Sequence, residues 1–143
     1  MKKDFKLQKV LEYRERKLEL EKKKLTELQN KLKEANFGIE KILSDINKNI
    51  IEMKDARNFQ FIKMYELYIE KLEKELEELK GLKKRLESDI EKQKKSVVNA
   101  MNDVKVIEKL KDKHIKNYLM YLNKEEMKMI DELVVTRFNN ENF

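Results

Sequence analysis

One apolar residue recurs every seven positions at Leu11, Leu18, Leu25, Leu32, Ile39, Ile46 and Met53. Seven residues fall slightly short of two full helical turns, so such a stripe stays against a neighbouring helix only when the two supercoil left-handedly. The ladder therefore predicts a helix over about residues 3–56 that needs a helical partner. A denser pattern follows. In alternating steps of three and four, Ile62, Tyr65, Ile69, Leu72, Leu76, Leu79, Lys83, Leu86, Ile90, Gln93, Val97, Ala100, Val104, Ile107, Lys111, His114, Tyr118 and Tyr121 form a second seam. Only Lys83, Gln93, Lys111 and His114 interrupt it, and it predicts a second helix over about residues 61–138.

The two seams do not share one phase. Met53 to Ile62 is nine residues where seven would continue the ladder, and the slip falls in the polar stretch Lys54-Asp55-Ala56-Arg57-Asn58. A turn is expected there, at about residues 57–60, although Asn58 is the one residue with clear cap chemistry and no glycine or proline marks the place. The competing reading is a continuous helix that skips phase and pairs in parallel with a second copy. Arm lengths favour the hairpin. Folding near Asn58 sets an arm of roughly 80 Å against one of roughly 120 Å, and the shorter arm runs out opposite Lys111 to His114, where the second seam turns polar.

The expected fold is thus all-α: a long antiparallel two-helix coiled-coil hairpin, one domain over residues 1–143, with an overhanging C-terminal helix. Along the overhang Met127, Ile130, Val134 and Phe138 keep helical spacing in a new phase. An unpaired stripe of this kind is a candidate docking surface, the alternative being a tail that folds back or frays. At the other open end Arg14 and Glu21 make the first seam thin, so both ends read as adapted to a partner.

Composition narrows the function. The 143 residues include no proline and two glycines, and 43% are charged, a profile of long exposed helices rather than of a compact globule. With no cysteine there is no disulfide or thiolate metal site, and a reducing compartment is the simplest setting. His114 is the only histidine, so no histidine metal centre is expected. Carboxylates such as Glu70, Glu73, Glu75, Glu77 and Glu78 read as a solvated face with i,i+4 pairs such as Glu70 with Lys74 and Glu91 with Lys95. A two-helix rod has no enclosed pocket in which to tune them. No glycine-rich phosphate loop or nucleophile elbow occurs, and the chain is expected to be neither an enzyme nor a cofactor carrier.

The longest apolar run, Tyr118-Leu119-Met120-Tyr121-Leu122, is far too short to span a bilayer, and the basic start lacks the apolar core of a signal peptide. Basic residues outnumber acidic ones 34 to 28, a net charge of +6. Between Glu91 and Lys116 lie eight lysines and four acids. Such a helix can follow a phosphate backbone or an anionic leaflet. Sparse arginine and interleaved glutamate suit a solvated face better, and nucleic acid is not expected as a partner.

The residues also resemble a known family, the flagellar export protein FliJ. Phe5-Lys6-Leu7-Gln8-Lys9-Val10-Leu11-Glu12-Tyr13-Arg14 is similar to the family's opening of an aromatic, then Leu-Gln-Lys, then an aliphatic helix. Tyr65-Glu66-Leu67-Tyr68-Ile69-Glu70-Lys71-Leu72 is similar to its central signature of aromatics, aliphatics and leucine. Glu108-Lys109-Leu110-Lys111-Asp112-Lys113 and Glu126-Met127-Lys128-Met129-Ile130-Asp131-Glu132, followed by Arg137-Phe138, resemble its carboxy-terminal pattern.

The resemblance implies a noncatalytic component of flagellar type III protein export, akin to the central stalk of rotary ATPases. It implies docking in the ring of the hexameric export ATPase FliI, promoting ring assembly and activity, and contact with the cytoplasmic domain of the export-gate protein FlhA and with export chaperones. The implied location is cytoplasmic, peripheral to the cytoplasmic face of the cell membrane at the flagellar base, with roles in motility and chemotaxis and a monomeric free state. A structural coiled-coil adaptor or parallel homodimer is the alternative, and behind it a basic nucleic-acid-associated rod. Carried over by position, Tyr65, Tyr68 and Leu72 would meet the gate, and Met127, Ile130, Asp131, Glu132, Val134, Arg137 and Phe138 the ATPase. Read without the family, Tyr65 and Leu72 are seam packing, Tyr68 is a flank aromatic, and Asp131 and Glu132 are ordinary surface acids.

Overall fold

The computed structural model describes residues 1–141. It contains two helices that pack against each other as a hairpin, α1 (Gln8–Asp55) and α2 (Phe59–Glu141), and no strand among the described residues. The expected all-α hairpin is the observed one.

The break between the helices is three residues long, 56–58. The Ala56 amide donates to the Met53 carbonyl (3.2 Å), closing α1 with a tight last turn, and Lys54 places a cation where the helix dipole is negative. Asn58 caps α2: its Oδ1 accepts from the Gln60 amide at 2.9 Å while its own carbonyl accepts from Ile62 at 3.1 Å. Among the described residues none has a positive φ. The chain reverses without a left-handed residue, which is why no glycine was needed to mark the turn.

At the N-terminus α1 starts at Gln8 rather than near residue 3. Lys2, Lys3 and Lys6 oppose the positive end of a helix dipole, and no acid stands in the first turn of α1. Residues 1–7 instead form a strap beside α2. The Phe5 ring lies 5.8 Å from that of His114, whose Nε2 donates to the Lys3 carbonyl (3.1 Å).

The chain divides into two compact units, Leu20–Val98 and the pairing of Met1–Glu19 with the chain from Asn99 onward. Within Leu20–Val98, Ala35 of α1 and Ile69, Leu72, Leu76, Leu86, Ile90 and Val97 of α2 are buried. The helices run antiparallel there: Glu52 lies beside Tyr65, Gly38 against Leu79, and Glu21 against Gln93. Gly38 permits a close approach, since a Cβ on it would sit 3.2 Å from Leu79 Cδ1.

In the other unit Leu11 packs with Val104 and Ile107, and Phe5 and Leu18 cover this cluster. Arg14 Nη1 donates to the Asp103 carbonyl at 2.9 Å. Two helices offer each other only one stripe, so the deepest side chains, Leu11, Ala35 and Ala100, still keep 4% exposure.

The polar seam positions are satisfied within the chain. Gln93 Nε2 donates to both the backbone carbonyl (3.0 Å) and the carboxylate of Glu21. Lys83 and Lys111 are half-buried, their stems covering the seam. Arg14 and Glu21, whose polarity made the first seam look open to a partner, bond across to α2.

Candidate docking surfaces

Two exposed apolar regions stand out once the seam has been accounted for. The first lies within the Leu20–Val98 unit, near the reversal. Asn49 of α1 and Phe61, Met64, Tyr65, Leu67, Tyr68 and Lys71 of α2 line a shallow groove of about 560 Å³. A helix this apolar one turn past its cap would ordinarily bury these side chains, but only Ile62, Tyr65 and Ile69 face the partner helix, and Phe61, Met64 and Leu67 are left in solvent.

Tyr65 sits on the boundary between seam and groove. Its side chain is half-buried, and loss of hydration pushes the phenol above its ordinary value of 10.0; the Glu52 carboxylate beside it, which also accepts its hydrogen bond, adds to the rise. The hydroxyl is therefore held protonated and pinned to α1. Tyr68 is 45% exposed and lines the groove. Leu72 is 5% exposed and belongs to the core, where it supports the groove from below rather than offering a surface of its own. Phe61, Met64 and Leu67 were missed by seam counting. The signal that finds them is the density of large apolar residues off the seam, which periodicity alone sets aside.

The second region is the end of α2. Strap residue Met1 reaches Asn117, Met120, Tyr121 and Lys124, which together line a small hollow of about 270 Å³. Beyond it α2 continues without α1 beside it, and every described side chain from Glu126 to Asn140 is exposed. Ile130, Leu133, Val134, Thr136, Arg137 and Asn140 border a groove of about 560 Å³. Of the residues singled out by sequence, Ile130, Val134 and Arg137 line this groove, while Met127, Asp131, Glu132 and Phe138 are exposed on the same stretch. Leu133 and Val135 were not anticipated. They follow from reading a lone helix, which can present apolar residues on more than one face.

Among the described residues no group of three or more His, Asp or Glu side chains gathers to hold a metal, and no buried polar side-chain atom is left without a partner. No described helix is long and apolar enough to cross a membrane. What the arrangement can do is bind other macromolecules through apolar area framed by charge.

Comparison with known proteins gives one positive result: the model of the flagellar FliJ protein family matches residues 2–143. Neither the curated proteins nor the solved structures yield a match.

Proposed function

The chain belongs to the flagellar FliJ family, which makes it a flagellar export-associated protein, and from that premise we propose that it is the noncatalytic stalk of the export apparatus. In this reading the free end of α2 docks in the ring of the export ATPase FliI, promotes ring assembly and raises its activity. The groove near the reversal meets the cytoplasmic domain of the gate protein FlhA, and the hairpin escorts export chaperones. The protein works in the cytoplasm at the membrane face of the flagellar base and is monomeric when free.

The observation that carries this reading is the run of exposed apolar residues beyond Lys124. Ile130, Val134 and Phe138 stay in solvent on a helix that has lost its intrachain partner. Such area on a single helix is a liability unless something covers it, and a helix inserted into a ring is covered on all sides, which suits apolar residues placed around its circumference. Met127, Ile130, Val134 and Phe138 supply the apolar contacts, and Asp131, Glu132 and Arg137 give the helix a charge pattern that can fix its register. At the other surface, Tyr68 and its exposed apolar neighbours provide the contact to the gate, Tyr65 orients the groove through Glu52, and Leu72 holds the helix beneath it.

Titrating the purified protein into the cognate export ATPase tests the proposal. The hydrolysis rate should rise and saturate as the ring fills. A folded protein that leaves the rate unchanged and fails to retain the gate domain would refute the stalk role.

A further inference from the structure

The outward side of α2 between Asn99 and Lys124 carries a second pattern that packing does not use. Val104, Ile107, Lys111, His114, Tyr118 and Tyr121 form the seam, and the positions opposite them are Lys105, Val106, Lys109, Asp112, Lys113, Lys116, Leu119 and Met120, all exposed. Four lysines against one aspartate share this face, with Lys124, Asp103 and Glu108 at its flanks. None of the five lysines forms an ion pair among the described residues. The strap brings Lys2, Lys3 and Lys6 to the same end of the unit, its Lys3 carbonyl bonded to His114. Nearer the reversal the corresponding outer positions mix signs, as in Glu70, Lys71, Lys74, Glu77 and Glu78, whereas the basic bias begins at Lys84, Arg85, Lys92 and Lys95 against Glu91. A solvated face needs no segregation of charge, so one-sided lysine calls for another account.

We propose that this face of α2, Lys105 to Lys124, is a binding surface for an anionic phospholipid bilayer. Lysines spaced by about one helical turn, roughly 5.4 Å apart, can each meet a separate anionic headgroup. The apolar residues among them decide between anions: Val106, Leu119 and Met120 can enter the headgroup layer, as the apolar side of an interfacial helix does, whereas a nucleic-acid backbone gives them nothing to bury. The surface uses none of the residues assigned to the ATPase or the gate. It rests on the export reading only in supplying a membrane contact to a protein placed at the membrane face.

Flotation of the full-length protein with vesicles of phosphatidylcholine alone, or of phosphatidylcholine with phosphatidylglycerol, provides the test. The protein should float with the phosphatidylglycerol vesicles, stay behind with neutral ones, and lose binding as salt rises. Each lysine removed should weaken binding about fivefold, so the K109Q/K116Q pair should cost about 25-fold. These side chains are exposed and the helix should be unaffected; if circular dichroism shows the double variant misfolded, Lys116→Gln alone, at about fivefold, decides. A Val106→Ser, Met120→Ser variant should bind the phosphatidylglycerol vesicles more weakly than the parent although its lysines are intact.

Equal binding to neutral vesicles, no binding to anionic ones, undiminished binding by the lysine variants, or displacement of vesicles by duplex DNA would each overturn the proposal. Vesicle binding without ATPase stimulation would overturn the export reading alone, and stimulation without vesicle binding this surface alone.

Discussion

A methyl group added at Gly81 would meet open space, whereas one added at Gly38 would press on Leu79 Cδ1 at 3.2 Å. Both glycines lie inside helices and carry the entropic cost of that placement. Gly81→Ala should therefore stabilise the protein by about 0.5–1 kcal/mol, while Gly38→Leu should destabilise it by forcing the helices apart at Leu79. Urea titration of the two variants reads both effects, and equal responses would show that the close approach at Gly38 is absent in solution.

Tyr65 offers a test in pH. Its phenol is raised above 10.0, so between that value and the raised one the folded chain keeps a proton that the unfolded chain has lost. The stability tied to this group is fully present below about pH 10 and is lost as pH climbs through the raised value. Tyr65→Phe should flatten that alkaline decline in thermal unfolding, and an unaltered slope would mean that the link to Glu52 does not form.

Among the elements, the reversal is set by Asn58 rather than by backbone strain. Its Oδ1 holds the Gln60 amide at 2.9 Å, and Asn58→Ala should cost about 1 kcal/mol in chemical denaturation while leaving helix content unchanged. A cost near zero would move the reversal's determinant to the packing of Ile62 and Tyr65.

The same residue explains how much of the fold was readable in advance. A seven-residue ladder reports that a helix has a partner, and the two-residue slip before Ile62 reports where the chain either turns or skips phase, a choice that the arm lengths rather than the slip decided. Periodicity does not report side-chain reach. Arg14 and Glu21, polar positions of the first seam that in the sequence looked like gaps left for a partner, bond across to the Asp103 backbone carbonyl and to Gln93. Nor does it show that seven N-terminal residues would be laid beside α2 by Phe5 and His114 instead of extending α1. At the candidate site, the stripe of Met127, Ile130, Val134 and Phe138 was legible as helical spacing, whereas Phe61, Met64 and Leu67 were not, because they lie off the seam and only the fold shows that nothing covers them.

For the whole molecule, the residues that hold the helices together are distinct from those proposed to dock at the end of α2. The buried set, from Leu11 to Ile107, holds the helices together, and its loss would unfold the hairpin. The exposed set at the end of α2 contributes little to folding, since Ile130 is 47% and Phe138 63% exposed. Ile130→Asp and Phe138→Asp should therefore leave stability within about 0.5 kcal/mol of the parent. An aspartate in a desolvated contact costs far more than it does in water, so the same changes should weaken any docking that buries these positions by tenfold or more.

That separation is the core of the account, and stimulation of the export ATPase by the I130D/F138D protein tests it most directly. The double variant should show the melting curve of the parent and fail to raise the hydrolysis rate. Full stimulation by a folded double variant would contradict the assignment of the α2 end to the ATPase.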